Sequence, residues 1–259
     1  MRYGHHEARP RSASFLDIDP HDAAIQPVNY YVWVVRNANR TVMVDAGFNH
    51  EEAAARGRKL DRLPREGLEM IGVDAANLSD VILTHLHYDH AGTLDDYPNA
   101  RFHLQETEMA YATGKCMCFP VLKAPYAVEH VVQAVRKLYE GNLIFHDGES
   151  EFAPGITLHL IGGHAKGIMC VRVMTQRGWV VLASDSTHFY ENVENNRPFI
   201  IVHDVEATLR GYERLRALAD GSLTHIIPGH DRAVMDRYPA PDACLEGIVA
   251  RLDVAPKAG

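Results

Sequence analysis

Four side chains able to bind a metal fall within six residues in the segment Thr84-His85-Leu86-His87-Tyr88-Asp89-His90. In an extended segment His85 and His87 share one side, because side chains alternate with period two. A tight turn after them brings Asp89 and His90 round to a neighbouring position. Neutral imidazole and carboxylate are the ligands a hydrolytic Zn2+ site uses. Three imidazoles and a carboxylate so close together gain nothing for packing, so the string points to a metal. Three later segments also end an apolar run in a ligand. Residues 158–161 lead into Gly162-Gly163-His164, residues 180–183 into Ser184-Asp185, and residues 225–227 into Pro228-Gly229-His230. Each is weak alone, since Gly-His after a strand is an ordinary turn and Asp185 also suits a helix cap. With the first string they complete a set of five His and two Asp.

The elements that must position these residues are legible as blocks. Residues 28–35 (VNYYVWVV) and 41–45 (TVMVD) flank a turn-like Asn37-Ala38-Asn39 and read as a hairpin. Residues 51–63 are helix formers with Pro64 as a stop. Strands are expected at 81–84, 100–104, 143–145, 156–161, 170–174, 179–183 and 225–227. Helices are expected at 106–113, 128–140, 204–219 and 242–252, with an irregular piece at 114–125. In the helix at 204–219, Val205, Leu209, Tyr212, Leu215 and Leu218 form one apolar stripe. Strand-rich blocks containing hairpins fit a two-sheet sandwich with helices outside better than a regular βαβ repeat. No linker or low-complexity run divides the chain, so residues 1–259 read as one domain.

Composition narrows the function classes. The 259 residues are 46% hydrophobic and 23% charged, which excludes a disordered, collagen-like or membrane-spanning chain. Lys and Arg number 26 against 34 Asp and Glu, a net charge of −8 that argues against broad nucleic-acid or anionic-membrane binding. The 16 His are twice the number of Phe, which directs the search to metal or proton-transfer chemistry. Cys116, Cys118, Cys170 and Cys244 do not form a disulfide framework, and the polar residues 1–14 lack the apolar core of a secretory signal. A reduced, cytoplasmic protein is the expectation.

The order HxHxDH, GGH, SD, PGH, with the early Asp45-Ala46-Gly47, resembles the metallo-β-lactamase superfamily from residue 28 to residue 230. The resemblance implies an α/β fold, a four-layer αβ/βα sandwich of two mixed sheets flanked by helices. It implies two divalent cations, Zn2+ first among candidates: His85, His87 and His164 on one, Asp89, His90 and His230 on the other, and Asp185 bridging. Asp185 stands where classical β-lactamases carry Cys, which turns the expectation away from antibiotics.

Within the superfamily the chain most resembles the N-acyl homoserine lactone lactonases, in length, in Gly229-His230-Asp231 and in the insertion between His90 and His164. The resemblance implies lactone opening by a metal-bridging hydroxide, with Asp89 as proton shuttle. Those lactonases carry a Tyr where His188 stands, so His188 and the neighbouring Tyr190 are the candidates to meet the substrate carbonyl. Asp45 is the candidate to orient a metal-binding His. The insertion at about 105–142 is the expected pocket wall, with Tyr88, Met109 and Phe119 as substrate contacts and Tyr111, Met117, Val121, Leu122 and Tyr126 beside them. A small lactone or ester is the expected partner, with no nucleic acid and no membrane; a homodimer is allowed. Two alternatives stand beside this reading. One is a thioester hydrolase of the glyoxalase II kind, for which Arg232, Arg237 and Arg251 are the basic residues available; the other is a metal-binding relative without activity.

Overall fold

Residues 41–44 read TVMV, and their side chains leave opposite faces of the strand they form: Val42 and Val44 enter one core, Met43 another. Both faces of this strand are covered. The computed structural model describes residues 1–257. Its first half runs β1 (Arg2–His6), β2 (Val28–Tyr31), β3 (Trp33–Arg36), β4 (Thr41–Val44), α1 (His50–Arg56), β5 (Lys59–Leu60), α2 (Pro64–Met70), β6 (Asp80–Ile82), β7 (Arg101–Gln105), α3 (Glu106–Ala112), α4 (Pro120–Lys123), α5 (Val128–Tyr139) and β8 (Leu143–His146). The second half runs β9 (Glu149–Ala153), β10 (Ile156–Leu160), β11 (Met169–Thr175), β12 (Gly178–Ser184), α6 (Tyr190–Asn195), α7 (Val205–Leu218), β13 (Ile226–Pro228) and α8 (Ala233–Arg237).

Two five-stranded mixed sheets, ordered β3-β4-β6-β7-β8 and β13-β12-β11-β10-β9, face one another. In the first, β4, β6, β7 and β8 are parallel and β3 pairs antiparallel with β4. In the second, only β12 and β13 are parallel. Val42, Val44 and Ile82 meet Leu158, Val171, Leu182 and Ile227 in the core between the sheets. The opposite faces take helices: Met43, Val81 and Phe102 lie in a core with α1, α2, α3 and α5, while Cys170, Val181 and Ile226 pack on Tyr212 and Leu215 of α7. Helix, sheet, sheet, helix is the four-layer α/β sandwich expected.

Several local readings need correction. The run at 28–35 is two strands, interrupted at Val32; β2 leaves the hairpin to join β1 and β5 in a small third sheet. The helix expected at 51–63 ends at Arg56, because Gly57 takes the left-handed conformation (φ 61°) that closes a helix. Pro64 opens α2 at its first helical position instead of stopping α1. On α7 the buried face is Thr208, Gly211, Tyr212 and Leu215, and Val205 and Leu209 are exposed. Gly211 sets that rotation: a Cβ there would stand 2.7 Å from the Ile161 side chain, so the helix approaches the sheet through its glycine. No closing helix forms at 242–252; a 3-10 turn at Ala243–Leu245 ends before Gly247, whose φ is 71°.

Candidate metal centre

Strands β4, β6, β10, β12 and β13 all run toward one edge of the sandwich, and each releases a chemically active residue there. Loops at the carboxyl ends of sheet strands are where α/β folds assemble sites. Asp45 follows β4, His85 to His90 follow β6, His164 follows β10, Asp185 follows β12 and His230 follows β13. The backbone is bent hard at two of these exits: Asp45 and Ser184 have φ of 62° and 47°, in the left-handed region that side chains rarely adopt. Gly229 is also required, since a Cβ there would lie 2.4 Å from the Asp185 carboxylate.

All seven expected ligands converge and are buried. Donor atoms of His85, His87 and His164 lie within 4.8 Å of one another, and so do those of Asp89, His90, Asp185 and His230. Asp185 stands between the groups. Its Oδ1 is 3.3 Å from His90 Nε2 and 3.0 Å from His230 Nε2, and its Oδ2 is 3.4 Å from His164 Nε2. Asp89 Oδ2 is 3.5 Å from His230 Nε2.

The imidazoles are aimed by what their other nitrogens touch. His164 Nδ1 donates to the Ile201 carbonyl and His230 Nδ1 to the Asn29 carbonyl, each at 2.8 Å. His90 Nδ1 meets Asp45 Oδ2 at 2.8 Å, the role expected of Asp45. The same carboxylate accepts from Thr84 N–H (2.7 Å) and from the Thr84 hydroxyl (2.9 Å), which also meets the Ser184 hydroxyl. Such contacts fix the tautomer and direct a lone pair inward. Thr84 and Ser184 were missed as participants; a hydroxyl before each ligand at a strand exit is the signal that could have found them.

Several of the inward-facing ligand atoms make no well-aligned hydrogen bond to the protein, although some lie close to one another. Buried His85 Nε2, His90 Nε2 and Asp185 Oδ1 make no hydrogen bond among the described residues, a costly state unless another group takes them up. His87 Nδ1 and His164 Nε2 point at each other across 2.9 Å. Orphaned nitrogen and oxygen atoms of this chemistry fit divalent cations. Burial and the neighbouring imidazoles push His85 and His87 well below the ordinary histidine value, keeping them neutral. For His90 burial opposes protonation, but the carboxylates of Asp185, Asp89 and Asp45 outweigh it and raise it.

The candidate catalytic and substrate residues divide. His188, one turn beyond Asp185, places Nε2 3.0 Å from Asp185 Oδ2 and stacks on Phe199 at 3.5 Å between centroids. It lines a cavity of about 500 Å³ beside the cluster, as do Asp89 and Tyr88. Tyr190 does not line it. Helix α6 begins at Tyr190 and turns the ring into the core between the sheets, under the Arg237 guanidinium, so it cannot replace a carbonyl-binding Tyr. Met109 is buried on the inner face of α3, and Phe119, half exposed at the start of α4, lies outside the lining. The insertion contributes Tyr111, Val121, Leu122 and Tyr126 instead. Residues 199–203 also line the cavity, His203 packing edge-on against Tyr111 at 4.8 Å between centroids. Arg232, Arg237 and Arg251 are not in the lining; Arg251 pairs with Asp253 at 2.6 Å.

The metallo-beta-lactamase superfamily profile matches residues 25–230. N-acyl homoserine lactonase AiiB of Agrobacterium fabrum is 29% identical over 230 residues, 80% of each chain. N-acyl homoserine lactonase AiiA of Bacillus thuringiensis subsp. kurstaki is 26% identical over 242 residues, 86% of this chain and 91% of that one. Among solved structures, a quorum-quenching N-acyl homoserine lactone lactonase superposes with a TM-score of 0.72 at 22% identity, covering 90% of this chain and 93% of that one. AidC, described as a dizinc quorum-quenching lactonase with a product bound, superposes at 0.69 with 16% identity, covering 89% and 86%.

Proposed function

The chain belongs to the metallo-beta-lactamase superfamily, and from that premise we propose that it is a metal-dependent hydrolase that opens a lactone ring. The observation that carries this is the convergence of seven buried donors from separate strand exits, three of them bearing buried atoms that make no hydrogen bond to the protein. His85, His87 and His164 would hold one cation, Asp89, His90 and His230 the second, and Asp185 both. The His and Asp donors suit Zn2+, and the neighbour AidC is described as a dizinc enzyme. Bound there, two cations would lower the pKa of a water into the neutral range and act as a Lewis acid toward an ester carbonyl.

The residues around the centre do the rest. Hydrolysis adds water across the ring C–O bond, leaving a carboxylate and an alcohol, so a proton must reach the departing oxygen. Asp89 faces the cavity and is the group placed to carry it. His188 also lines the cavity, with Nε2 3.0 Å from Asp185 Oδ2; were the cations to take up that carboxylate, the ring's one N–H would be left to donate to the carbonyl oxygen as negative charge develops. Tyr126, Tyr111 and residues 199–203, which together line the cavity, hold an acyl or aromatic substituent and exclude water. The lactonase relatives favour this reading over the thioester alternative, whose arginines lie elsewhere. Cys118 and Cys244 are exposed free thiols, and no described helix is long and apolar enough to cross a membrane; both suit a cytoplasmic location.

A lactone panel of short-chain, long-chain and aromatic substituents, followed by pH-stat proton release beside matched thioesters, tests the reading. It predicts faster opening of lactones; preference for thioesters overturns it.

A further inference from the structure

One side of the cavity carries cations that the hydrolytic chemistry does not use. Arg9, Arg56 and Arg58 all line it, in a chain whose net charge is −8. Arg56 is neutralised by Glu52 at 2.7 Å and lies over the Tyr88 ring. Arg9 and Arg58 have no carboxylate within ion-pairing reach among the described residues. Arg58 donates to the Tyr88 hydroxyl at 3.3 Å and meets His6 Nδ1 at 3.0 Å, both neutral acceptors. Arg9 is held by the Ser14 hydroxyl and the Ala13 carbonyl, and its guanidinium lies over the Phe199 ring at 4.9 Å.

The placement relative to the metal centre is what gives this pair meaning. Tyr88 sits between His87 and Asp89, so Arg58 is one side chain from the ligands. Phe199 stacks on His188, so Arg9 is one ring from the other end of the same site. Burial, with Arg58 adding repulsion, pulls the Arg9 guanidinium down to about 10, and burial with Arg58 and Arg9 also lowers His6. Partly buried like charges are held together here without a direct ion pair, only the more distant Asp89 carboxylate favouring Arg58, an arrangement that gains from an anion. A guanidinium fork matches a planar carboxylate bidentately.

We propose that Arg58 and Arg9 form a subsite for a carboxylate carried by the substrate away from its reacting ester. This rests on the hydrolase reading above and names its substrate class: lactones with an anionic arm rather than a wholly apolar tail.

Two measurements separate the subsite from the activity. The first is kcat/KM for a γ-lactone bearing a side-chain carboxylate against its methyl ester, in the wild type and in Arg58→Gln, Arg58→Lys and Arg9→Gln. The expected preference for the acid is about tenfold or more, expressed in KM, collapsing toward one in Arg58→Gln and partly kept in Arg58→Lys. The second needs no turnover: calorimetric binding to the holoenzyme of straight-chain diacids from succinate to suberate, each against the monoacid of equal length. One diacid is expected to bind about tenfold tighter than its monoacid, with the advantage lost in Arg58→Gln or Arg9→Gln. If both lactones are opened equally and diacids match monoacids, the subsite is overturned while lactone hydrolysis stands. If neither lactone is opened but the arginine-dependent diacid advantage is found, the lactone reading falls and the subsite stands.

Discussion

His188 stands three residues beyond Asp185 and lines the cavity beside the cluster. Its ring is wedged between the Phe199 face and the Asp185 carboxylate, with Nε2 on Asp185 and Nδ1 free. Burial pushes it well below the ordinary histidine value although Asp185 pulls the other way, so it stands as a neutral ring. A neutral imidazole has one N–H, which Asp185 accepts here; with Asp185 given over to the cations, that N–H could go to developing negative charge without adding a cation to the centre. We therefore expect His188→Ala to lower kcat about 10²- to 10³-fold, the loss usual for one such donor, while elemental analysis still finds two cations per chain. Loss of a cation in that variant would make His188 a ligand instead. Tyr190, two residues on, shows how finely orientation matters: one residue faces the cavity and the other the inter-sheet core, and sequence adjacency could not distinguish them.

At the scale of elements, the loop after β6 that carries His85 to His90 is braced from α3. Glu108 is buried and accepts from Leu86 N–H at 3.1 Å, the Tyr126 hydroxyl at 2.8 Å and Gly167 N–H at 2.9 Å. One carboxylate thus ties together the loop holding His85 and His87, the insertion, and the loop after His164. Burial raises its pKa despite these donors. Glu108→Ala strands three buried donors, so a loss of about 2–4 kcal/mol in urea unfolding is expected. A second brace lies on β6 and β7, where His103 Nε2 meets Asp80 Oδ1 at 3.0 Å. Burial lowers His103 below its ordinary 6.5 and outweighs the pull of Asp80. Burial alone would raise Asp80, but Ser79, His103 and Arg101 hold it low. The native state therefore binds fewer protons than the unfolded chain at both groups, and stability is lost as pH falls. His103 acts first, below 6.5, and Asp80 at lower pH. Replacing His103 by Gln should make the decline in stability below pH 6.5 shallower in denaturant titrations; an unchanged slope would show that His103 is not a contributor.

Across the whole molecule, the proposed ligands come from both halves: His85, His87, Asp89 and His90 from the first sheet, His164, Asp185 and His230 from the second. Cations bound there would staple the sheets together. Chelation should then lower the unfolding midpoint by about 6–15 °C, taking about 3–4 kcal/mol of binding linkage and a chain of this size. An unshifted midpoint would mean that the cluster holds no metal in the native protein. The sandwich and the seven donors were legible because strand blocks ended repeatedly in His or Asp, a pattern that packing alone does not produce. The cavity was much less so. Residues 199–203 of its lining and its arginines, Arg9 and Arg58, lie in loops whose path depends on tertiary contacts. The exposed Val205 and Leu209 carry the same lesson, since the helical stripe was present but Gly211 decided which face docks.

The central claim is that seven side chains hold two cations, and anomalous diffraction at the zinc edge tests it most directly. Two peaks per chain are predicted, one among His85, His87 and His164 and the other among Asp89, His90 and His230, with Asp185 between them. No peak in this cluster, or a single one confined to His164, Asp185 and His188, would contradict it.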